Sequence, residues 1–204
     1  MTRPRGLILD YGNVLTWPQD QTWMAAAARM GASAPAFRSA YWQHRHDYDA
    51  DLPAPEYWRR VIAAARPTGN GAVAEADLRW LIGRDVDSWI RYHEEVWAVA
   101  AEFRASGGRT ALLFNSGPEV MGRVRADHPL EARFDAVVIS CEVGLAKPDP
   151  RIFRLCLERL GLPAAVTLFV DDRADNVEAA SRVGLATLHF EGPDALDRLR
   201  ALLG

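Results

Sequence analysis

Asp10, the pair Asn115-Ser116, Lys147 and the pair Asp171-Asp172 all stand where an apolar run ends or a loop begins, the places at which a chain can present reactive groups. A carboxylate at the carboxyl end of a buried strand sits where open α/β sheets place their ligands, so Asp10 is a candidate nucleophile. An Asp before a Gly12-Asn13 pair also fits a simple turn cap, and the stretch by itself leaves both readings open. Three carboxylates gathered at one point repel unless a cation stands among them. A donor set made only of oxygen suits Mg²⁺, which takes one or two carboxylates and keeps several waters. Lys147 and Asn115 would then hold an anion against the metal. Phosphate is the natural candidate, because phosphoryl transfer mainly needs positioning and charge neutralisation. Lys147 is the sole lysine among 24 Lys and Arg residues, so its position escapes a strong arginine bias. An ammonium is a compact point charge and a guanidinium a planar fork, so a lone lysine marks a site that wants the point charge.

Bringing these residues together requires a parallel sheet. Leu7–Leu9 is an apolar run too short for a helix and suited to a strand buried on both faces. Further strands are expected over Thr110–Phe114, Ala136–Ile139, Val166–Val170 and Leu185–Phe190. The helices expected between them end near Arg104, start at Pro118, and cover Arg151–Leu160, the stretch through Arg182 and Pro193–Leu203. Strands alternating with helices imply a doubly wound α/β sheet with right-handed crossovers, in which all carboxyl ends lie on one edge. The loop CEVGLAKPDP delivers Lys147 to that edge.

Between Trp17 and Trp97 the pattern is different. No strand is evident, all seven tryptophans fall here, and helices are broken at Gly31, at Pro53 and Pro55, and over Pro67–Gly71. Helical spacing of Phe37, Tyr41 and Tyr48, and of Trp58, Ile62 and Ala65, predicts a small bundle with its own aromatic core. His44, Arg45, His46 and Asp47 lie on several faces of such a helix, so one or two of them point toward a neighbouring cleft. The whole chain has 204 residues, 49% of them apolar and 25% charged, with a net charge of −3. That balance gives no reason to expect nucleic acid or an anionic membrane as a partner. Asp10 cuts the first apolar run too short for a signal sequence, which points to the cytoplasm. Cys141 and Cys156 show no metal-like spacing and read as two free buried thiols.

In order, DYGNVL, the FNSG strand end, the AKPDP loop and VDDRADN resemble the four motifs of the haloacid dehalogenase (HAD) superfamily. The resemblance covers residues 1–16 and about 98–204, with 17–97 similar to that superfamily's helical cap inserted after the first motif. It implies a sheet ordered 5-4-1-2-3, Asp10 as nucleophile, and Mg²⁺ held by Asp10, the Gly12 carbonyl and Asp172, with Asp171 as a second acid. Lys147 would balance a phosphoaspartate, and Asn115 and Ser116 would bind phosphate.

Two departures bear on chemistry. Phosphatases of this superfamily usually carry a second Asp two residues after the nucleophile, and here that position is Gly12, as in a DxGNV subgroup similar to bacterial sugar-phosphate phosphatases. The second motif normally offers Ser or Thr before Asn115, where this chain has Phe114, and Ser116 is the nearest substitute hydroxyl. The expected activity is Mg²⁺-dependent hydrolysis of a small phosphorylated metabolite. Good leaving groups such as anomeric sugar phosphates should suffer least from the missing acid, and His44, Arg45 and His46 are the cap residues available to the substrate. A metal-independent 2-haloacid dehalogenase and a weakened scaffold with a binding or regulatory role are the alternatives.

Overall fold

The computed structural model describes residues 3–19, 22–66 and 73–204. Five strands form one parallel sheet: β1 (Gly6–Leu9), β2 (Arg109–Phe114), β3 (Ala136–Ile139), β4 (Thr167–Asp171) and β5 (Ala186–His189). Their order is β3-β2-β1-β4-β5, the expected 5-4-1-2-3 arrangement counted from the other edge. β1 is central, with Leu9 opposite Leu112 on one side and Val170 on the other. Alternation of side chains divides the apolar run between two layers. Leu7 and Leu9 pack with Val96, Phe103, Val120 and Leu199, whereas Ile8 packs with Ile152, Phe153, Phe169 and Ala180. All three β1 side chains are fully buried, each worth roughly 1.5–3 kcal/mol in apolar transfer.

Among the described residues, seven helices flank or connect these strands. They are α5 (Glu94–Ala105), α6 (Pro118–Asp127), α7 (Leu130–Arg133), α8 (Ser140–Val143), α9 (Pro150–Leu160), α10 (Ala174–Val183) and α11 (Ala195–Leu203). Two local expectations are corrected. The CEVGLAKPDP stretch is not all loop, because α8 occupies its start and is closed by Gly144 in the left-handed region, φ 65°. Val166 does not begin a strand; it ends a 3-10 turn over Ala164–Val166, which the Thr167 hydroxyl braces by donating to the Pro163 carbonyl.

Between β1 and α5 lie α1 (Thr22–Met30), α2 (Ala34–Ala50), α3 (Ala54–Ala65) and α4 (Glu75–Ser88). Phe37, Tyr41, Tyr48, Trp58, Ile62 and Ala65 are buried together in a cluster of their own. Ser33 caps α2 by accepting from the Ala36 amide, and Pro55 sits in the first turn of α3, where its missing N–H costs nothing. The break expected over Pro67–Gly71 lies outside the described residues. The cysteines are free, with Cys156 buried and Cys141 only half-buried, a correction to the expectation that both are buried. Among the described residues no helix is long and apolar enough to cross a membrane.

Candidate active site

The carboxyl edge of the sheet opens into a cavity of about 450 Å³. Asp10 follows β1, its amide donating to the Val170 carbonyl so that pairing continues past the strand, and it is 6% exposed. The Lys147 ammonium lies 2.5 Å from Asp10 Oδ1 and 2.7 Å from Asp171 Oδ2, above the Phe169 ring. Asn115 fixes this loop from both sides: its Oδ1 accepts from the Lys147 amide and its Nδ2 donates to the Lys147 carbonyl, each at 2.8 Å. The lysine is thereby held by backbone as well as by charge. Asp171 is saturated, since its oxygens also accept from Asn176 Nδ2 and the Arg173 amide. Asp172 is less enclosed and accepts at Oδ2 from Asn13, a residue in the left-handed region at φ 56° that Asn tolerates better than most.

Oxygens of Asp10, Asp171 and Asp172 lie within 4.8 Å of one another, and one ammonium answers three carboxylates. The electrostatics register that imbalance. Burial raises the Asp10 carboxyl well above its ordinary range, Lys147 opposes the rise, and Asp171 and Asp172 add to it. Burial likewise raises Asp172. Burial works against the Lys147 charge, yet Asp10 and Asp171 outweigh it and keep the group protonated. An oxygen-only set with two negative charges in excess fits a hard divalent cation.

The cavity's other wall comes from α2 and from Trp89, just past α4. Trp42, Arg45, His46 and Asp49 line it, a face with the i, i+3, i+4, i+7 spacing of one side of a helix. Arg45 is buried between Asp49, whose Oδ1 accepts from Nε at 2.8 Å, and Asp85, 3.4 Å from Nη1. It also donates to the Tyr41 hydroxyl and lies over the Tyr41, Tyr48 and Trp89 rings. Burial pushes Asp49 up to about 6 against the pull of Arg45. Three contacts tie α2 to the segments that follow β2 and β3. The Ser140 hydroxyl donates to the Asp49 carbonyl at 2.5 Å while accepting from the Ser116 amide, the Tyr48 hydroxyl donates to Glu119 at 2.7 Å, and the Tyr48 ring lies against Gly117. A Cβ at Gly117 would fall 2.3 Å from that ring, so only glycine fits.

Asp10, Gly12, Asn115, Lys147, Asp172, Arg45 and His46 therefore meet at one cavity. Asp171 stands behind it, fully buried against Lys147. Two expected residues do not reach it. Ser116 is fully buried and its hydroxyl donates to the Gly117 carbonyl, two residues past the end of β2, where the side chain has turned inward. His44 is half-buried and lies off the α2 face that meets the cavity. Phe114 lines the wall, and the hydroxyl of Ser116, its nearest substitute, does not reach it. The sequence reading passed over Asp49, Trp42, Trp89, Asn13 and Asn176. The spacing of 42, 45, 46 and 49 was the available signal for the first two.

The chain matches the family model described as haloacid dehalogenase-like hydrolase over residues 4–184. It is 42% identical over 106 residues to acyl-CoA dehydrogenase family member 10 of Mus musculus, covering 51% of this chain and 10% of that protein. It is 34% identical over 155 residues to a phosphoserine phosphatase of Thermus thermophilus, covering 72% of this chain and 62% of the relative. The chain thus spans less than two thirds of the length of either. Its fold is similar to that of a HAD family enzyme from Bacteroides thetaiotaomicron, with TM-score 0.73, 20% identity and coverage of 98% and 99% of the two chains. It is also similar to L-2-haloacid dehalogenase from Xanthobacter autotrophicus, with TM-score 0.67, 19% identity and coverage of 96% and 81%.

Proposed function

This chain belongs to the haloacid dehalogenase-like hydrolases, and we propose that within that family it is a Mg²⁺-dependent phosphatase of small phosphorylated metabolites, acting in the cytoplasm through an aspartyl-phosphate on Asp10. The observation that carries this reading is the trio Asp10, Asp171 and Asp172 answered by one lysine, an excess of negative charge that carbon-directed dehalogenation does not need. The phosphoserine phosphatase relative supports it. Residues 17–97 act in this reading as a cap over a core formed by 1–16 and 98–204.

Asp10 attacks phosphorus in line, the bond to the leaving oxygen breaks, and water later cleaves the aspartyl-phosphate, dividing one difficult step into two. Lys147 offsets charge on the phosphoryl oxygens and on the attacking carboxylate. Asn115 acts on this step through the Lys147 backbone, and Asp171 by fixing the ammonium. Asp10, the Gly12 carbonyl and Asp172 would hold the Mg²⁺, with Asp171 as the acid behind them; when bound, the ion neutralises phosphoryl charge. Leaving groups of low basicity, such as those of anomeric sugar phosphates, depend least on a proton donor and are favoured to the extent that Gly12 supplies none.

Turnover of a panel of phosphate esters with Mg²⁺ and with EDTA tests the reading. Release of phosphate that EDTA abolishes is expected. Metal-independent release of halide from 2-chloropropionate would replace it with the dehalogenase, whose chemistry needs no leaving-group proton.

A further inference from the structure

The loop after Asp10 offers no proton to a departing oxygen, and the structure shows why none can be placed there. A Cβ at Gly12 would lie 2.9 Å from Trp89 Cζ3, so the indole fills the space. The Trp89 N–H in turn donates to Tyr41 and Asp85, which fixes the ring. The proton must therefore come from elsewhere in the cavity wall. Lys147 is held charged between two carboxylates. Arg45 and Arg173 retain their protons throughout the working range. Asp175 is paired with Arg173, which lowers its pKa and leaves it ionised. His46 is exposed and has no hydrogen-bond partner among the described residues.

Asp49 differs from all of these. It is 7% exposed and lines the cavity shared with Asp10. Its Oδ1 is fixed by Arg45, and its Oδ2 has no hydrogen-bond partner among the described residues. The Ser140 hydroxyl ties its backbone to the sheet, so it is positioned relative to Asp10 and not only within the helical layer. Around it stand Arg45 and His46 on α2, Tyr57 on α3, Asp85 on α4 and Cys141 on α8. Burial leaves it with a pKa of about 6, where a carboxyl gives and takes protons near neutrality.

The geometry points to Asp49 as the general acid and base of this hydrolase, a carboxyl contributed by the inserted helices in place of one two residues after the nucleophile. The inference rests on the phosphatase reading. In the first step Asp10 Oδ forms a bond to phosphorus, the bond from phosphorus to the leaving oxygen breaks with its electron pair going to that oxygen, and Asp49 gives it a proton. In the second, water bonds to phosphorus as Asp49 takes its proton, and the Asp10–phosphorus bond breaks to restore the carboxylate. Both side chains end as they began.

The test compares kcat/KM for an alkyl phosphate and for 4-nitrophenyl phosphate, with Mg²⁺, in wild type, Asp49→Asn and Asp49→Glu. kcat/KM counts only steps up to departure of the leaving group, and nitrophenolate departs without a proton. In Asp49→Asn the ratio of alkyl to aryl kcat/KM should fall about 10²-fold, the usual scale of a lost general acid. In wild type the alkyl value should decline as pH rises through about 6, since the acid form is the donor, and Asp49→Glu should keep that limb where Asn loses it. The aryl ester reports that the variant is folded. An unchanged ratio in an Asn variant that still turns over the aryl ester overturns the assignment while leaving the phosphatase reading intact. Absence of phosphate-ester turnover in wild type overturns both.

Discussion

Two buried cations face each other across the cavity, each between two carboxylates, and they are built in opposite ways. Lys147 lies between Asp10 and Asp171, on groups at strand ends and in a loop clamped through its backbone by Asn115. Arg45 lies between Asp49 and Asp85, on helices, with its fork spread over three aromatic rings. The sheet-edge cluster contains a third carboxylate, Asp172, and so carries a charge excess that invites a cation. The helical cluster has two carboxylates for one guanidinium and so a smaller charge excess, and burial raises both of its carboxyls as it raises Asp10 and Asp172 at the sheet edge. One centre is arranged to bind charge and the other to hold a proton.

If that contrast is right, the largest effect comes from the sheet edge. Asp10→Asn keeps the shape of the side chain and removes the nucleophile, so turnover should disappear while the circular dichroism spectrum and unfolding midpoint stay near wild type. Substantial activity in this folded variant would falsify the nucleophile assignment. Lys147→Ala should reduce kcat by at least about 10²-fold, as loss of a preorganised charge does. It should also lower metal-free stability by about 3–5 kcal/mol, because two buried carboxylates lose their partner. Lys147→Arg should recover little of either, since a planar fork does not fit a pocket closed around a point charge. A wild-type rate in the Arg variant would erase the distinction between the two cations.

In the helical cluster the expected effect is on stability as a function of pH. Folding raises the Asp49 pKa to about 6, whereas an unfolded aspartate titrates near 3.9. Between those values the folded chain binds more protons than the unfolded one, so this group's contribution falls as pH rises from about 4 to about 6, then levels off. The span corresponds to on the order of 3 kcal/mol. Asp49→Asn should abolish that decline, and urea unfolding at pH 4.5 and pH 7 would show the difference between variant and wild type changing in that direction. Arg45→Met, which strips both carboxyls of their counter-ion, should carry the decline to higher pH. Parallel stability curves for wild type and Asp49→Asn would mean that folding leaves the Asp49 carboxyl titrating where an unfolded aspartate does.

The contrast also explains how much the sequence disclosed. At the sheet edge Asp10 and Asn115 follow short apolar strands, Asp171 ends one, and Lys147 lies in the loop beyond a fourth strand and α8, so parallel pairing brings positions 10, 115, 147 and 171 to one edge. The parallel sheet and the cluster were therefore readable from strands of four to six residues, whereas the order of the strands came from the resemblance of the four motifs. The helical cluster depends on how α2 and α4 pack, and no local pattern pairs residue 45 with residue 85, forty positions away. His44 and His46 stood out there by residue type as groups available to the substrate, whereas Asp49 is singled out by its burial, which depends on the tertiary fold. Ser116 failed for a related reason: its position past a strand end was clear, yet the direction of its side chain depends on the next peptide.

The smallest expected effect concerns the joint between the two regions. Tyr48 is packed beneath Arg45 within the helical layer, but its hydroxyl crosses to Glu119 on α6, and its ring rests on Gly117 ahead of that helix. Tyr48→Phe keeps the ring and deletes the crossing bond, leaving Glu119 free to turn to water. The loss should be about 0.5–1.5 kcal/mol, the net worth of one such hydrogen bond, with little dependence on pH between 6 and 8 because burial keeps the phenol un-ionised there. Its effect on kcat/KM should be under about threefold, since Ser140 still ties the Asp49 carbonyl to the sheet. Ser140→Ala in the same background removes that second tie. If the two ties together set where Asp49 stands over Asp10, the double variant should lose more alkyl-phosphate kcat/KM than the product of the single losses, at a stability cost that stays additive. Multiplicative rate losses would instead mean that the helical layer seats itself by ring packing, with the polar ties contributing to stability alone.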